Sequence, residues 1–305
     1  MIEILNKGLL TLPVTVSRHL LERFGVPTGG PADPFLCILA NRLVENPDGA
    51  CALEASLMLP GLVFHRACFA AIAGFSAEVF LKRGQDAIPF PLNRTVLIEA
   101  GDELLPAPIK AGMRAYIAVS GGIERKGFRA GKLTEGTVLA IGESSPRRIL
   151  HIPELPFPAP KEKAEIRVIP GVQESAFSRE GKETFYASEY SYTPESSRMG
   201  IRLKGEAVSF RPGCDGNIIS EGMLAGDIQI TPSGQPILML SDCPTTGGYT
   251  KIAHAITADI PLAAQLRPGA RIRFRQVSVA DAHIALRRLI IKLDPCVREA
   301  PRQGD

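Results

Sequence analysis

Tryptophan is absent from the 305 residues, aromatic residues make up only 6%, and no apolar stretch is long. The most continuous run, Ala67 to Ala77, has about half of the roughly 20 residues that a spanning helix requires, and Glu78 closes it, so it is no membrane anchor. A dominant charge is lacking too. Lys+Arg 35 against Asp+Glu 32 leaves +3, and the basic residues are scattered, which supports neither a nucleic-acid footprint nor an acidic tail. Cys-x-x-Cys pairs are missing: Cys37, Cys51, Cys68, Cys214, Cys243 and Cys296 stand far apart, the pattern of free, mostly buried thiols in a reducing compartment. The histidines (His19, His65, His151, His254, His283) form no HExxH or H-x-H group, so no metal bound by a local motif is expected. Met1-Ile2-Glu3 places an acid where a signal peptide needs a cationic region. The chain is therefore expected to be soluble and cytoplasmic, with small molecules or proteins as partners, and neither nucleic acid nor membrane.

What is present is glycine and proline, 29 and 25 residues, in a chain with ordinary hydrophobic (45%) and charged (22%) content. That composition describes a folded, turn-rich protein long enough for two domains. Short β-branched runs recur at Val79 to Leu81, Thr95 to Ile98, Arg114 to Val119, Ile166 to Ile169, Ile228 to Ile230, Ile237 to Leu240 and Arg271 to Phe274. Three turn-to-strand cassettes, at Gly101, Gly136 and Gly269, carry glycine where a reversal can need positive φ. The expectation is a mainly β protein with a few helices and two β-barrel-like domains. Asp33-Pro34 followed by Phe35, Leu36, Leu39 and Leu43 predicts a capped helix ending before Asn46-Pro47. Ala282, Leu286, Leu289, Ile290 and Leu293 predict an amphipathic helix after a Ser278 cap, and Glu174 to Tyr186 a third helix interrupted by Gly181. Four prolines between Ile152 and Pro160 stiffen the chain and suggest a boundary, giving an N-terminal β-rich domain over 1–150, a linker over 151–165 and a C-terminal domain over 166–305.

The densest run of unusual polar sequence is Ser241-Asp242-Cys243-Pro244-Thr245-Thr246-Gly247-Gly248-Tyr249-Thr250-Lys251, directly after an apolar strand. Its glycines would let backbone N–H groups approach a ligand, its threonines supply hydroxyls, and Lys251 supplies the charge that an anion or carbonyl cradle needs; a plain surface turn would explain it equally. Asp242 and Lys251 are the candidate catalytic residues. Candidate binding residues are Thr245, Thr246, Gly247, Gly248 and Tyr249, with Glu221, Gln229 and Gln235 at the ends of strands leading into the same run. Hairpin turns and solvated edges are the alternatives there. Arg198 is suited to pairing bidentately with a carboxylate, though a surface arginine is the default. The Gly25 to Asp33 loop opens a helix where anions are favoured, but no Gly-Lys-Ser/Thr follows. Asn41 and Glu54 are either site residues or buried hydrogen-bonding groups.

Taken together, Gly25-Val26-Pro27, Ala40-Asn41-Arg42-Leu43-Val44, Ala52-Leu53-Glu54, Ser120-Gly121-Gly122-Ile123, Arg167-Val168-Ile169-Pro170-Gly171, Ser197-Arg198-Met199-Gly200, Ile218-Ile219-Ser220-Glu221-Gly222, Gly234-Gln235-Pro236-Ile237, Asp242 with Thr245 to Lys251, and Gln265-Leu266-Arg267-Pro268-Gly269 resemble the biotin-dependent carboxyltransferase family. That family includes the C subunits of 5-oxoprolinases, allophanate hydrolase subunit 2 and the carboxyltransferase part of urea amidolyase. The resemblance runs in order along nearly the whole chain. It departs at Ser17 to Phe24 with Gly29-Gly30-Pro31-Ala32-Asp33, where the family usually carries Asp-Leu-Gly-Arg and Ser-Gly-Ala-Met-Asp, and at Glu124 to Ala130, where it usually carries Gly-Ser-Arg-Ser-Thr.

The resemblance implies two β-rich domains, the C-terminal one cyclophilin-like. It implies a component of an ATP-dependent complex that processes an amide or lactam, in first place 5-oxo-L-proline to L-glutamate. ATP would act at the level of the complex, bound by a partner, and the partners would be proteins like the B and A subunits of 5-oxoprolinase. Two alternatives are a regulatory protein that antagonises a B-subunit-like inhibitor of a sensor kinase, and a carboxyltransferase using carboxybiotin supplied in trans. No Met-Lys-Met-like attachment sequence is present, so biotin would not be carried on this chain.

Overall fold

Each turn cassette reverses the chain at a glycine in the left-handed region, φ +94° at Gly101, +78° at Gly136 and +92° at Gly269, and the β-branched runs around them are strands. The computed structural model describes residues 1–15, 21–124, 133–143 and 148–300. They group into two compact units, one made of 1–16, 33–159 and 291–305, the other of 17–32 and 160–290. The sequence suggested contiguous domains instead, and specific contacts account for the difference. The Gly29 N–H donates to the Ser241 carbonyl at 3.0 Å, tying the 25–32 loop to the second unit. At the other end of the chain, Arg298–Glu299 pairs antiparallel with Leu150–His151, and Asp294 takes a hydrogen bond from Arg42 at 3.0 Å.

The first unit contains antiparallel sheets of six, five and three strands. In the five-stranded sheet every residue of Ala52–Ser56 and Arg114–Val119 is buried, because both faces are covered. Leu53, Ala55, Ala115 and Ile117 join the apolar core. Helix α1 (Pro34–Leu43) packs on the same sheet, as its sequence predicts: Asp33 Oδ1 accepts from the Leu36 N–H at 3.1 Å, and Leu36, Leu39 and Leu43 are fully buried. Burial of such a leucine contributes about 1.5–3 kcal/mol.

The second unit is a closed barrel of seven strands, in the order Lys163–Pro170, Lys251–Ala255, Asp227–Ile230, Pro236–Met239, Gly200–Lys204, Tyr190–Tyr192 and Arg271–Gln276. The last strand closes parallel onto the first, and closure leaves no exposed sheet edge. Ile166, Val168, Ile201, Leu203, Ile228, Ile230 and Ile272 fill the interior. The chain is thus mostly β, with the closed barrel in the second unit and open sheets in the first.

The run from Glu174 is a short 3-10 turn (Glu174–Ala176) followed by helix α2 (Arg179–Ala187), capped by Ser178. The break falls at Phe177–Ser178, not at Gly181. Gly181 sits inside α2, where a Cβ would lie 2.1 Å from the Ser209 carbonyl oxygen, so the glycine allows close packing. Phe185 of α2 stacks on Phe274 at 4.7 Å. Helix α3 (Ile260–Gln265) has no counterpart in the sequence expectation, being too short to show a period. Helix α4 (Val279–Leu293) begins at Ser278, whose Oγ accepts from the Asp281 N–H. Ala282, Leu286 and Leu289 are half-buried and Leu293 is buried, but Ile290, expected on the same face, is exposed, as are Ile284 and Ile291.

Candidate functional site

One irregularity in the barrel wall aims the polar residues. Strand Lys251–Ala255 runs between Lys163–Pro170 and Asp227–Ile230. His254 pairs with Asp227 and Ala253 with Ile228, but the next partner of Gln229 is Lys251, which leaves Ile252 as an extra residue in a β-bulge. Ile252, Ala253 and Ala255 belong to the barrel core together with Ile228 and Ile230. Asp227, Gln229, Lys251 and His254 are consequently turned to the other face. In an unbroken strand Lys251 would share the face of Ala253 and Ala255 and enter the core.

Lys251 is 6% exposed, and its ammonium is enclosed by oxygens. Its Nζ lies 2.6 Å from Glu221 Oε1 and 3.9 Å from Asp227 Oδ2, and donates to the Gly222 carbonyl at 2.9 Å. Such enclosure compensates the desolvation of a buried charge. Asp227 Oδ2 accepts the Leu224 N–H at 2.9 Å, and Oδ1 is 2.8 Å from His254 Nδ1. Gln173 bridges two of these groups: its Nε2 donates to Glu221 at 2.7 Å and its Oε1 accepts the Lys251 N–H at 3.1 Å. The hydrogen bonds from Lys251 and Gln173 hold the Glu221 carboxyl below its usual range.

Glu221 and Gly222 lie on a two-stranded ribbon, Asn217–Gly222 against Thr246–Tyr249, that covers Lys251. Gln229 braces it, donating to the Tyr249 carbonyl at 3.2 Å. Residues 246–249 are therefore a strand and not the loop cradle that the sequence suggested. Gly247 is required by close packing, since a Cβ there would be 2.7 Å from Gln229 Nε2 and 2.8 Å from Met223 Sδ. The Thr245 carbonyl accepts the Met223 N–H, while Thr246 and Tyr249 are exposed. Beneath the ribbon, Met223, Ile237, Met239 and Cys243 form a small apolar cluster. Burial, with Asp227 and Asp242 nearby, raises the Cys243 thiol to about 11.

Asp242 and Arg198 form a bidentate pair at 2.7 and 3.1 Å. The guanidinium, 10% exposed, also donates to the Gly30 carbonyl at 2.7 Å and to Ser241 Oγ at 3.1 Å. Arg198 thus holds a carboxylate of its own chain and clamps the 25–32 loop, where the sequence had it available for a substrate. The same clamp answers the anion expectation for that loop, because the Gly29 N–H is directed at Ser241 and the Gly30 carbonyl at Arg198.

Three candidates make other contacts of their own. The Gln235 amide pairs with both backbone groups of Gly205, at 2.9 and 3.2 Å, and stitches two turns together. Asn41 and Glu54 are buried in the first unit, Asn41 donating to the Ala50 carbonyl and Glu54 accepting from the Tyr116 hydroxyl at 2.8 Å. Burial, reinforced by Glu54, pushes that phenol well above its usual value. The departures from the family pattern at 17–20 and 125–130 lie outside the described residues. The structure adds Gln173, Met223, Asp227, Cys243 and His254 to Lys251, Glu221 and Gln229. Their only sequence signal is Lys251 and His254 three residues apart in a strand, a spacing that shares a face only across a bulge.

A family model described as carboxyltransferase domain, subdomain A and B, matches residues 24–276. The C subunit of the 5-oxoprolinase of Escherichia coli (strain K12) is 30% identical over 295 residues, covering 92% of this chain and 93% of that protein. Its counterpart, the 5-oxoprolinase C subunit of Haemophilus influenzae, is 30% identical over 305 residues, covering 96% and 97%. Among solved structures, the Kluyveromyces lactis urea carboxylase superposes with a TM-score of 0.86 at 26% identity, over 96% of this chain but only 29% of that one. Among the described residues no helix is long and apolar enough to cross a membrane.

Proposed function

The chain belongs to the family of carboxyltransferase domains, subdomains A and B, and from that membership we propose that it is the C-type subunit of an ATP-dependent complex that opens 5-oxo-L-proline to L-glutamate. The observation that carries this reading is the similarity, over nearly the full length of both chains, to two bacterial proteins named as the C subunits of 5-oxoprolinases. In this reading a B-subunit-like and an A-subunit-like protein complete the complex, and ATP is bound by a partner.

The chemistry at this chain's residues would centre on Lys251. A cation held in a largely dehydrated site polarises a carbonyl far more strongly than it would in water. Glu221 occupies the ammonium, so a substrate carbonyl gains Lys251 when the ribbon bearing Glu221 shifts. Asp242, aligned by Arg198, offers a carboxylate for an amide N–H, and Thr245, Thr246 and Tyr249 offer polar groups along the ribbon. A second reading, favoured by the similarity to urea carboxylase, is carboxyl transfer from carboxybiotin supplied in trans.

The test is ATP-dependent glutamate release from 5-oxoproline by the reconstituted complex, with and without this chain. Release that requires the chain, and that falls at least about 100-fold in Lys251→Ala while that variant keeps its fold and partner binding, supports the proposal. Full activity without the chain overturns it. Stoichiometric partner binding with no turnover moves the assignment to the regulatory role, and exchange of carboxyl groups with a biotinylated carrier moves it to the second reading.

A further inference from the structure

We infer that His254, aligned by Asp227, carries the proton in the reaction at this site, an inference that rests on the amide-processing reading above. The β-bulge at Ile252 brings His254 to the face of Lys251, and Asp227 joins the two, with Oδ1 2.8 Å from His254 Nδ1 and Oδ2 3.9 Å from Lys251 Nζ. A carboxylate can only accept a hydrogen bond, so the ring nitrogen facing Asp227 is the protonated one. In the neutral ring the lone pair is then on Nε2. That edge lies against Gly226: a Cβ built there would sit 3.0 Å from both Nε2 and Cε1. Glycine, with φ +102°, leaves this edge uncrowded, and the histidine side chain is 26% exposed although Asp227 and Lys251 are buried.

A buried carboxylate orienting a partly exposed imidazole is the arrangement that general acid–base chemistry requires. In the opening of an amide, water oxygen bonds to the carbonyl carbon and gives a proton to Nε2, and Nε2 returns that proton to the departing nitrogen as the carbon–nitrogen bond breaks. The ring ends as it began, and Lys251 stabilises the oxygen on which negative charge develops. The groups facing His254 are Asp227 and Gly226 on one side and Ile169 from strand Lys163–Pro170 on the other, with Lys251 reached through Asp227 and Glu221 beyond it. The alternative is that His254 only ties two strands together.

Of two measurements, the first tests the geometry and the second separates these roles. The ¹⁵N NMR shifts of the His254 ring in the full chain report its tautomer without any assay. A neutral ring protonated on Nδ1 is expected; a neutral ring protonated on Nε2 overturns the inference. In the reconstituted complex, His254→Asn retains a donor toward Asp227 but has no nitrogen that can carry a proton. We expect kcat for 5-oxoproline to fall about 100-fold or more with KM within about threefold. Activity in His254→Asn equal to wild type assigns the residue to strand tying and overturns the inference. If the wild-type complex releases no glutamate, the functional proposal falls and takes the inference with it, an outcome distinct from wild-type release that His254→Asn leaves intact.

Discussion

Arg198 and Lys251 are both nearly buried cations, yet their surroundings assign them different work. Arg198 presents its planar fork to both oxygens of Asp242 and to two further acceptors, an arrangement that a lysine cannot copy. Arg198→Ala should lower stability by about 1–3 kcal/mol, because it removes the hydrogen bonds to the partly exposed Asp242 and to the Gly30 carbonyl; denaturant unfolding measures this, and a loss well under about 1 kcal/mol would show the clamp to be dispensable. Lys251 instead is held by Glu221, an exchangeable partner at the edge of the ribbon. Since Glu221 titrates below its usual 4.5, its contribution is fully present above that value and is lost as the pH falls through the lower, folded value. Hydrogen-exchange protection in residues 217–222 and 246–249, taken relative to the intrinsic rate at each pH, should therefore fall below pH 4.5, and Glu221→Gln should show the lower protection already at neutral pH. These roles were only partly legible in the sequence. Lys251, Glu221 and Gln229 stood out as polar residues beside strands, but Asp227 carries no local signature, the spacing of His254 from Lys251 has meaning only once the bulge is known, and Arg198 alone does not reveal which carboxylate it meets.

At the scale of elements, periodicity and capping located the longer strands named from the sequence and the helices at Asp33, Glu174 and Ser278. Asp33-Pro34 and Ser278 start the helices they were expected to start, and the β-branched runs are strands. Errors arise where close packing or a bulge overrides local pattern. Gly181 reads as a helix breaker but is a contact residue of α2. Gly181→Ala adds a better helix former, worth about 1 kcal/mol by propensity, yet its methyl would lie 2.1 Å from the Ser209 oxygen. We expect a net loss of about 1–3 kcal/mol on thermal or chemical unfolding, and a gain would mean that the helix can shift away. The Gly247-Gly248 pair likewise looks like a ligand cradle and is a strand whose first glycine accommodates Gln229 and Met223. Gly247→Ala should loosen the ribbon and accelerate exchange there without unfolding the barrel.

For the whole molecule, the mostly β character and the presence of two compact units followed from turn density and length, whereas the path of the chain between the units did not. Contacts such as Gly29 with Ser241 link residues too distant in sequence for local reasoning. Residues 291–300 illustrate the same point, returning to the first unit through the pairing of Arg298–Glu299 with Leu150–His151 and through the Arg42–Asp294 bond. Removing them should lower the unfolding midpoint of the first unit and speed exchange at residues 150–151, with smaller effects on barrel amides. The early capture of residues 25–32 by the barrel also imposes a timetable on biosynthesis. A chain made from its N-terminus must hold this loop unsatisfied for roughly two hundred residues until Arg198 and Ser241 emerge, so vectorial synthesis cannot complete one unit before starting the other.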